Sequence, residues 1–228
     1  MGKSQRTGTR GHITPAEVIL VILVIAALAA LLLPGLARQR EESRMILCRR
    51  NLHALFKGMA TYLPEYGSNR FYPCPLGLGQ QPDTYNGAEW LAALHWSGVV
   101  PWPGAFLCPS SGDTNADGKD IGSKKANDCG GRFSSQTVSY AALWWKSVST
   151  RSGGAILHDF PPDQPMACDD TQGGINHGDA RRGGMSVLFF DSHVEFKAAA
   201  EVDITSEHGS VGQGVPNPPK TLLWRLKN

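Results

Sequence analysis

Thr14-Pro15-Ala16-Glu17, followed by Val18-Ile19-Leu20-Val21-Ile22-Leu23-Val24-Ile25-Ala26-Ala27-Leu28-Ala29-Ala30-Leu31-Leu32-Leu33 and then Pro34-Gly35-Leu36-Ala37, decides the architecture. From Val18 to Ala37 no charged residue occurs in 20 consecutive positions. At about 1.5 Å of rise per residue such a helix is roughly 30 Å long, the thickness of a bilayer core. Its start is a capping box: Thr14 at the N-cap, Pro15 at the first helical position, and Glu17 reaching back to the cap amide. An acid at the mouth of an apolar run is costly unless it has a partner. The spacing therefore leaves Glu17 a second role, neutralising a positive group on a neighbouring subunit.

Working outward, residues 1–12 form a basic leader with Lys3, Arg6 and Arg10 and no acid. Arg38, Arg40, Arg44, Arg49 and Arg50 follow the apolar run, so positive charge alone leaves the orientation open. Beyond Arg38, Met45, Leu52, Leu55, Phe56, Met59 and Tyr62 recur at steps of three, four and seven, one stripe on a 3.6-period helix. The stripe is expected to pack against the chain's own globular part. Pro64 is expected to end the helix.

The chain has 228 residues, 41% hydrophobic and 18% charged, enough for this helix and one ordinary domain. A net charge of +2 without a basic stripe excludes nucleic acid as a main partner. The 26 glycines and 15 prolines concentrate after Tyr62 and favour a loop-rich head with short strands. Ala88–Trp96 reads as a short helix and Gln136–Trp145 as a strand. Met185–Phe190 and His193–Lys197 alternate as a hairpin about the two-residue turn Asp191-Ser192, with Val194 and Phe196 inward and Ser192 where glycine is preferred. Residues 205–220 read as a Gly/Pro-rich linker, with an edge strand after it at Thr221–Lys227. The fold class is α+β: a long N-terminal helix packed on a small, mostly antiparallel sheet. The expected divisions are 1–12 leader, 13–37 transmembrane segment, 38–63 soluble half of the same helix, 64–204 head and 205–228 tail.

Asp113, Asn115 and Asp117 place oxygen donors at alternate positions before Gly118, like the first half of a calcium-binding loop, with Lys119 offering its carbonyl. The closing bidentate acid is missing, since Lys124 stands there, and the alternative is a solvated Asp/Asn/Gly turn. Calcium is the one cofactor this pattern suggests. The five cysteines, 48, 74, 108, 129 and 168, form no CxxC pair, so zinc-ribbon spacing is absent. Outside the cytoplasm, Cys74, Cys108, Cys129 and Cys168 are expected to supply two disulfides with Cys48 left over; buried free thiols are the alternative. His158, Asp159, His177, Asp191 and His193 are the candidates for acid/base or metal chemistry. The turn and the outward side of the hairpin are ordinary places for Asp191 and His193, and no established catalytic motif is present, so no enzyme is expected. Among six tryptophans, Trp90, Trp96, Trp102, Trp144 and Trp145 could stack on sugar or protein, though core packing suits most of them.

The N-terminal pattern resembles the type IV pilin and type II secretion pseudopilin superfamily, whose prepilins carry a basic leader, a Gly at the cut and a Glu at the fifth mature position. Here the processing site corresponds to Gly11-His12-Ile13. A cut before Ile13 makes Glu17 the fifth mature residue and puts His12 in place of the usual Gly. Pro34 matches the family's helix-kinking proline. Phe106–Ser110, Val138-Ser139-Tyr140 and the stretch from His177 to Asp191 and Ser192 resemble three blocks of a bacterial prepilin-like subfamily. Its signature is His, nine residues, Asp-Gly; here thirteen residues intervene and Ser192 replaces Gly. The resemblance implies a structural subunit of a secretion or pilus-type filament, with copies of itself or related subunits, a prepilin peptidase and an inner-membrane assembly platform as partners. It also implies a single-pass inner-membrane protein with a cytoplasmic N-terminus and a periplasmic head. The alternative is an unprocessed membrane-anchored binding protein with a Trp-rich head.

Overall fold

In a computed structural model, the described residues are 14–73, 87–115, 120–121, 137–143, 158–169, 175–178, 183–199, 201–202, 223 and 226–227. The chain divides into two compact units that meet between Arg40 and Glu41.

Helix α1 spans Pro15–Glu65 and contributes to both units. Its first turn is the capping box that the sequence predicts: the Thr14 amide donates to Glu17 Oε2 at 2.8 Å, and the Glu17 amide to Thr14 Oγ1 at 3.4 Å. The helix continues through Pro34, and within the first unit its apolar side chains are uncovered; Leu31 is 77% exposed. This stretch is long and apolar enough to cross a membrane. The helix ends at Glu65, inside the stretch Leu63–Ser68 expected to close it, and no further turn follows Pro64. A proline in the last turn removes only its own amide, and the helix is closed by left-handed Ser68 and Asn69, with the Asn69 amide donating to Leu63 O at 2.8 Å.

The second unit is α+β. Five antiparallel strands, β1 Tyr140–Leu143, β2 Pro165–Asp169, β3 Gly184–Phe189, β4 Val194–Ala198 and the two-residue β5 Leu226–Lys227, form one sheet in the order β4-β3-β2-β1-β5. The tail thus supplies the edge strand expected of it, paired with β1 through Leu143 and Leu226. The three central strands are buried along their whole length, as strands covered on both faces must be. The α1 stripe is part of that cover: Leu52, Leu55, Met59 and Tyr62 are buried in the same core as Tyr140, Met166 and Val187. Helix α2, Gly87–Trp96, is buried almost all round. It packs close to α1: a Cβ on Gly58 would stand 3.3 Å from Leu94 Cδ1 on α2 and 2.5 Å from Val100 Cγ2 just beyond it.

The hairpin keeps its expected strands, with Leu188 opposite Val194 and Ser186 opposite Phe196. Its connection is four residues, Phe190–His193, rather than two, and Ser192 takes a φ of 80°. Cys108 lies within a cluster that also holds Cys48, the cysteine expected to be left over. Cys108 and Cys168 are both buried, and Cys74 and Cys129, the other two cysteines expected to form disulfides, lie outside the described residues.

Candidate metal centre

Four polar side chains from four different segments meet in the interior of the second unit. Cys48 enters from α1, three residues after Met45 and four before Leu52, so it belongs to the apolar stripe. Cys108 follows the 3₁₀ turn Pro103–Phe106 in the stretch Phe106-Leu107-Cys108-Pro109-Ser110. Asp169 is the last residue of β2. His177 sits between β2 and β3, held by a bridge in which the Gly184 amide donates to its carbonyl at 3.0 Å. None of the four is more than 3% exposed.

One donor atom from each of them lies within 4.8 Å of all the others. Cys48 Sγ is 2.8 Å from Asp169 Oδ1, Cys108 Sγ is 3.4 Å from His177 Nε2, and His177 Nε2 is 3.5 Å from Asp169 Oδ2. Further groups hold the four in place. His177 Nδ1 is 2.9 Å from Glu41 Oε1, which also accepts from Ser110 Oγ at 2.9 Å. The Ser186 amide donates to Asp169 Oδ2 at 2.7 Å, and the buried Tyr140 hydroxyl lies 3.2 Å from Leu107 O and 3.7 Å from Cys48 Sγ.

Such crowding perturbs every proton in the cluster. The thiol of Cys48, sharing its hydrogen bond with Cys108 and buried beside Asp169, holds its proton far more tightly than a free cysteine. Cys108, set beside the Cys48 thiol and facing the His177 ring, is pulled down to about 5. Burial pushes the Asp169 carboxyl up to about 7. For His177 burial opposes the charge, but Cys108, Asp169 and Glu41 outweigh it and raise the imidazole to about 9.

Cys108, His177 and Glu41 also stand in the relation of nucleophile, base and orienting carboxylate. Access argues against that use, because Cys108 is 3% exposed and the Cys48 and Asp169 side chains crowd its sulfur. Two thiols, a carboxylate and an imidazole Nε2 converging on one point are instead a donor set for a tetrahedral metal ion.

Of the residues singled out in the sequence, the structure brings only Cys108 and His177 into this cluster. Asp191 and His193 pair with each other in the exposed hairpin connection, apart from His177. His158 is exposed, with its Nδ1 3.1 Å from Arg70 O. Asn115 is buried and spends both amide hydrogens on Pro103 O and Thr137 O, each at 3.0 Å, while its Oδ1 has no partner among the described residues. Asp113 is half-buried nearby in sequence, and Asp117 and Lys119 lie outside the described residues. So do Gly11, His12 and Ile13. Trp90 is fully buried, Trp96 donates to Ile121 O at 2.6 Å, and Trp102 is 54% exposed; Trp144 and Trp145 are not among the described residues. Sequence reasoning missed Cys48, Asp169 and Glu41 as members of a site. The one available signal was that Cys48 falls on the α1 stripe.

Comparison with protein-family models, with curated proteins and with solved structures finds no match. Fold and site therefore define the class only this far: an α+β protein with one N-terminal helix able to span a membrane and a buried cluster of metal-ligating side chains.

Proposed function

We propose that this chain is a pseudopilin-like structural subunit of a type II secretion or type IV pilus-like filament, anchored by a single pass in the inner membrane with its head in the periplasm. The observation that carries the reading is the uncovered helix surface: from Val18 to Leu36 every large apolar side chain is between 46% and 77% exposed. A surface of this kind is covered either by lipid or by copies of itself, and packing helices side by side lets van der Waals contact replace lipid. Glu17 is the only acid in the stretch. One of its oxygens accepts from the Thr14 amide, which leaves the other free for the N-terminal amine of a neighbouring processed subunit. The degenerate His177–Asp191–Ser192 signature and the antiparallel head support the same reading.

Two measurements test it. Mass spectrometry of the mature protein is expected to find an N-methylated Ile13 or His12 at the N-terminus. Glu17→Ala is expected to abolish filament assembly while membrane insertion stays normal. An intact Met1, or normal filaments from the Glu17 variant, would overturn the proposal in favour of a membrane-anchored binding protein.

A further inference from the structure

We propose that Cys48, Cys108, Asp169 and His177 bind one zinc ion, and that the ion is a structural staple joining the soluble half of α1 to the sheet. Zinc bonds to sulfur, nitrogen and oxygen at about 2.3, 2.0 and 2.0–2.2 Å, so a tetrahedral site has edges of roughly 3.3–3.8 Å. Two of the observed edges, 3.4 and 3.5 Å, fall in that range. The 2.8 Å approach of Cys48 is to the other carboxylate oxygen, Asp169 Oδ1, and is a thiol hydrogen bond rather than an edge of the same tetrahedron.

Charge favours the same conclusion. Two thiols and a carboxyl are three acids meeting a single imidazole where no water reaches. A buried ionised acid needs a counter-charge, and His177 supplies one at most. A divalent cation lets all three acids ionise together, and whatever protons these acids and the imidazole Nε2 hold pass to solvent as the ion enters. Soft thiolates with imidazole select zinc over calcium or magnesium, which take all-oxygen shells.

The surroundings are those of a ligand set. A metal-bound imidazole typically donates its other nitrogen to a carboxylate, which fixes the tautomer and aims the ring. Glu41 does this for His177, and Ser110 in turn orients Glu41. The Ser186 amide fixes the Asp169 carboxylate in the same way. All four protein positions of a closed structural site are filled, which leaves none for a water or substrate.

The ligands span positions 48 to 177, so the ion cross-links α1 to the Cys108 segment, β2 and the β2–β3 connection. It also keeps two adjacent free thiols from oxidising in a compartment that forms disulfides.

The test uses the full-length chain in detergent, with elemental analysis after exposure to zinc alone. One zinc per chain is expected, together with protection of Cys48 and Cys108 from alkylation that a chelator removes. At a thousandfold excess over its dissociation constant, zinc is expected to raise Tm by roughly 8–16 °C. Cobalt in place of zinc should give thiolate-to-metal charge transfer in the near ultraviolet, lost in Cys108→Ser. Because that variant removes a core side chain, Glu41→Gln serves as the second probe, keeping all four ligands while weakening affinity about 10- to 100-fold. Zinc-free protein after stoichiometric loading, a Cys48–Cys108 disulfide in the isolated chain, or unchanged affinity in Glu41→Gln would each overturn the proposal. None of these readouts depends on filament assembly or leader cleavage.

Discussion

His177 Nδ1 lies 2.9 Å from Glu41 Oε1, a contact between residues 136 positions apart. A carboxylate can only accept, so the proton between them belongs to Nδ1 and the lone pair of Nε2 points toward Cys108 and Asp169. Long-range ¹⁵N NMR of the zinc-loaded protein is therefore expected to show His177 with a protonated Nδ1 and a metal-bound Nε2. A protonated Nε2 under those conditions would contradict the arrangement.

The α1 stripe makes a prediction about where the head's stability lies. Leu52 is fully buried in the common core, whereas Ile46, on the same helix, is 66% exposed. Leu52→Ala leaves a cavity in packed surroundings and is expected to cost about 2–5 kcal/mol. Ile46→Ala is expected to stay within about 0.5 kcal/mol. Urea unfolding of both variants, followed by tryptophan fluorescence, separates the two outcomes.

These contrasts also show what sequence could and could not convey. The capping box at Thr14 and Glu17, the stripe from Leu52 to Tyr62 and the β3–β4 hairpin are local patterns, set by periodicities of 3.6 and 2 residues, and each is readable from a short window. The metal cluster is not local. Cys48 and Asp169 are 121 positions apart and Cys108 and His177 are 69 apart, and no spacing rule links them. Cys48 is the cysteine left over from the expected disulfides until the fold sets it beside Cys108. Asp169 gave no sign at all, since an acid closing a short β2 reads as a turn residue.

Ser192 records a small local conflict. Its φ of 80° lies in the left-handed region, where a side chain carries a steric cost that glycine does not. Ser192→Gly removes that strain while adding some freedom to the unfolded chain. A net gain of about 0.5–1 kcal/mol is expected, read as a higher urea midpoint with an unchanged slope. A loss of stability would mean that the serine hydroxyl contributes more than its backbone costs.

Tyr72 links burial to alkaline stability. It is 6% exposed, packed edge-on against Trp90 at 5.7 Å and beside Phe190 at 5.8 Å, and burial pushes its phenol up to about 12. An unfolded tyrosine ionises near 10, so the folded state holds the proton that the unfolded state releases. The contribution of the neutral phenol is complete below pH 10 and is lost as pH rises through 12. By pH 11 the loss is about 1.4 kcal/mol. Tyr72→Phe keeps the ring contacts and removes the titration. The stability difference between Tyr72→Phe and the parent is expected to grow by that amount between pH 9 and pH 11.

Gly184 ties the sheet to the cluster. A Cβ at this position would stand 2.2 Å from Lys197 O on β4 and 2.7 Å from the Phe196 ring, and the backbone carbonyl cannot swing aside as a side chain can. The same residue donates its amide to His177 O at 3.0 Å, so a shift of β3 to relieve the clash moves the segment that places the imidazole. Gly184→Ala is therefore expected to lose about 1–3 kcal/mol of folding stability through overpacking. Zinc affinity should fall with it, because that hydrogen bond helps to place the His177 imidazole. Gly112→Ala, where a Cβ meets nothing within 4 Å, is the matched control and should leave both quantities unchanged. If Gly184→Ala is destabilised yet binds zinc as the parent does, His177 is positioned by Glu41 alone and not by the strand.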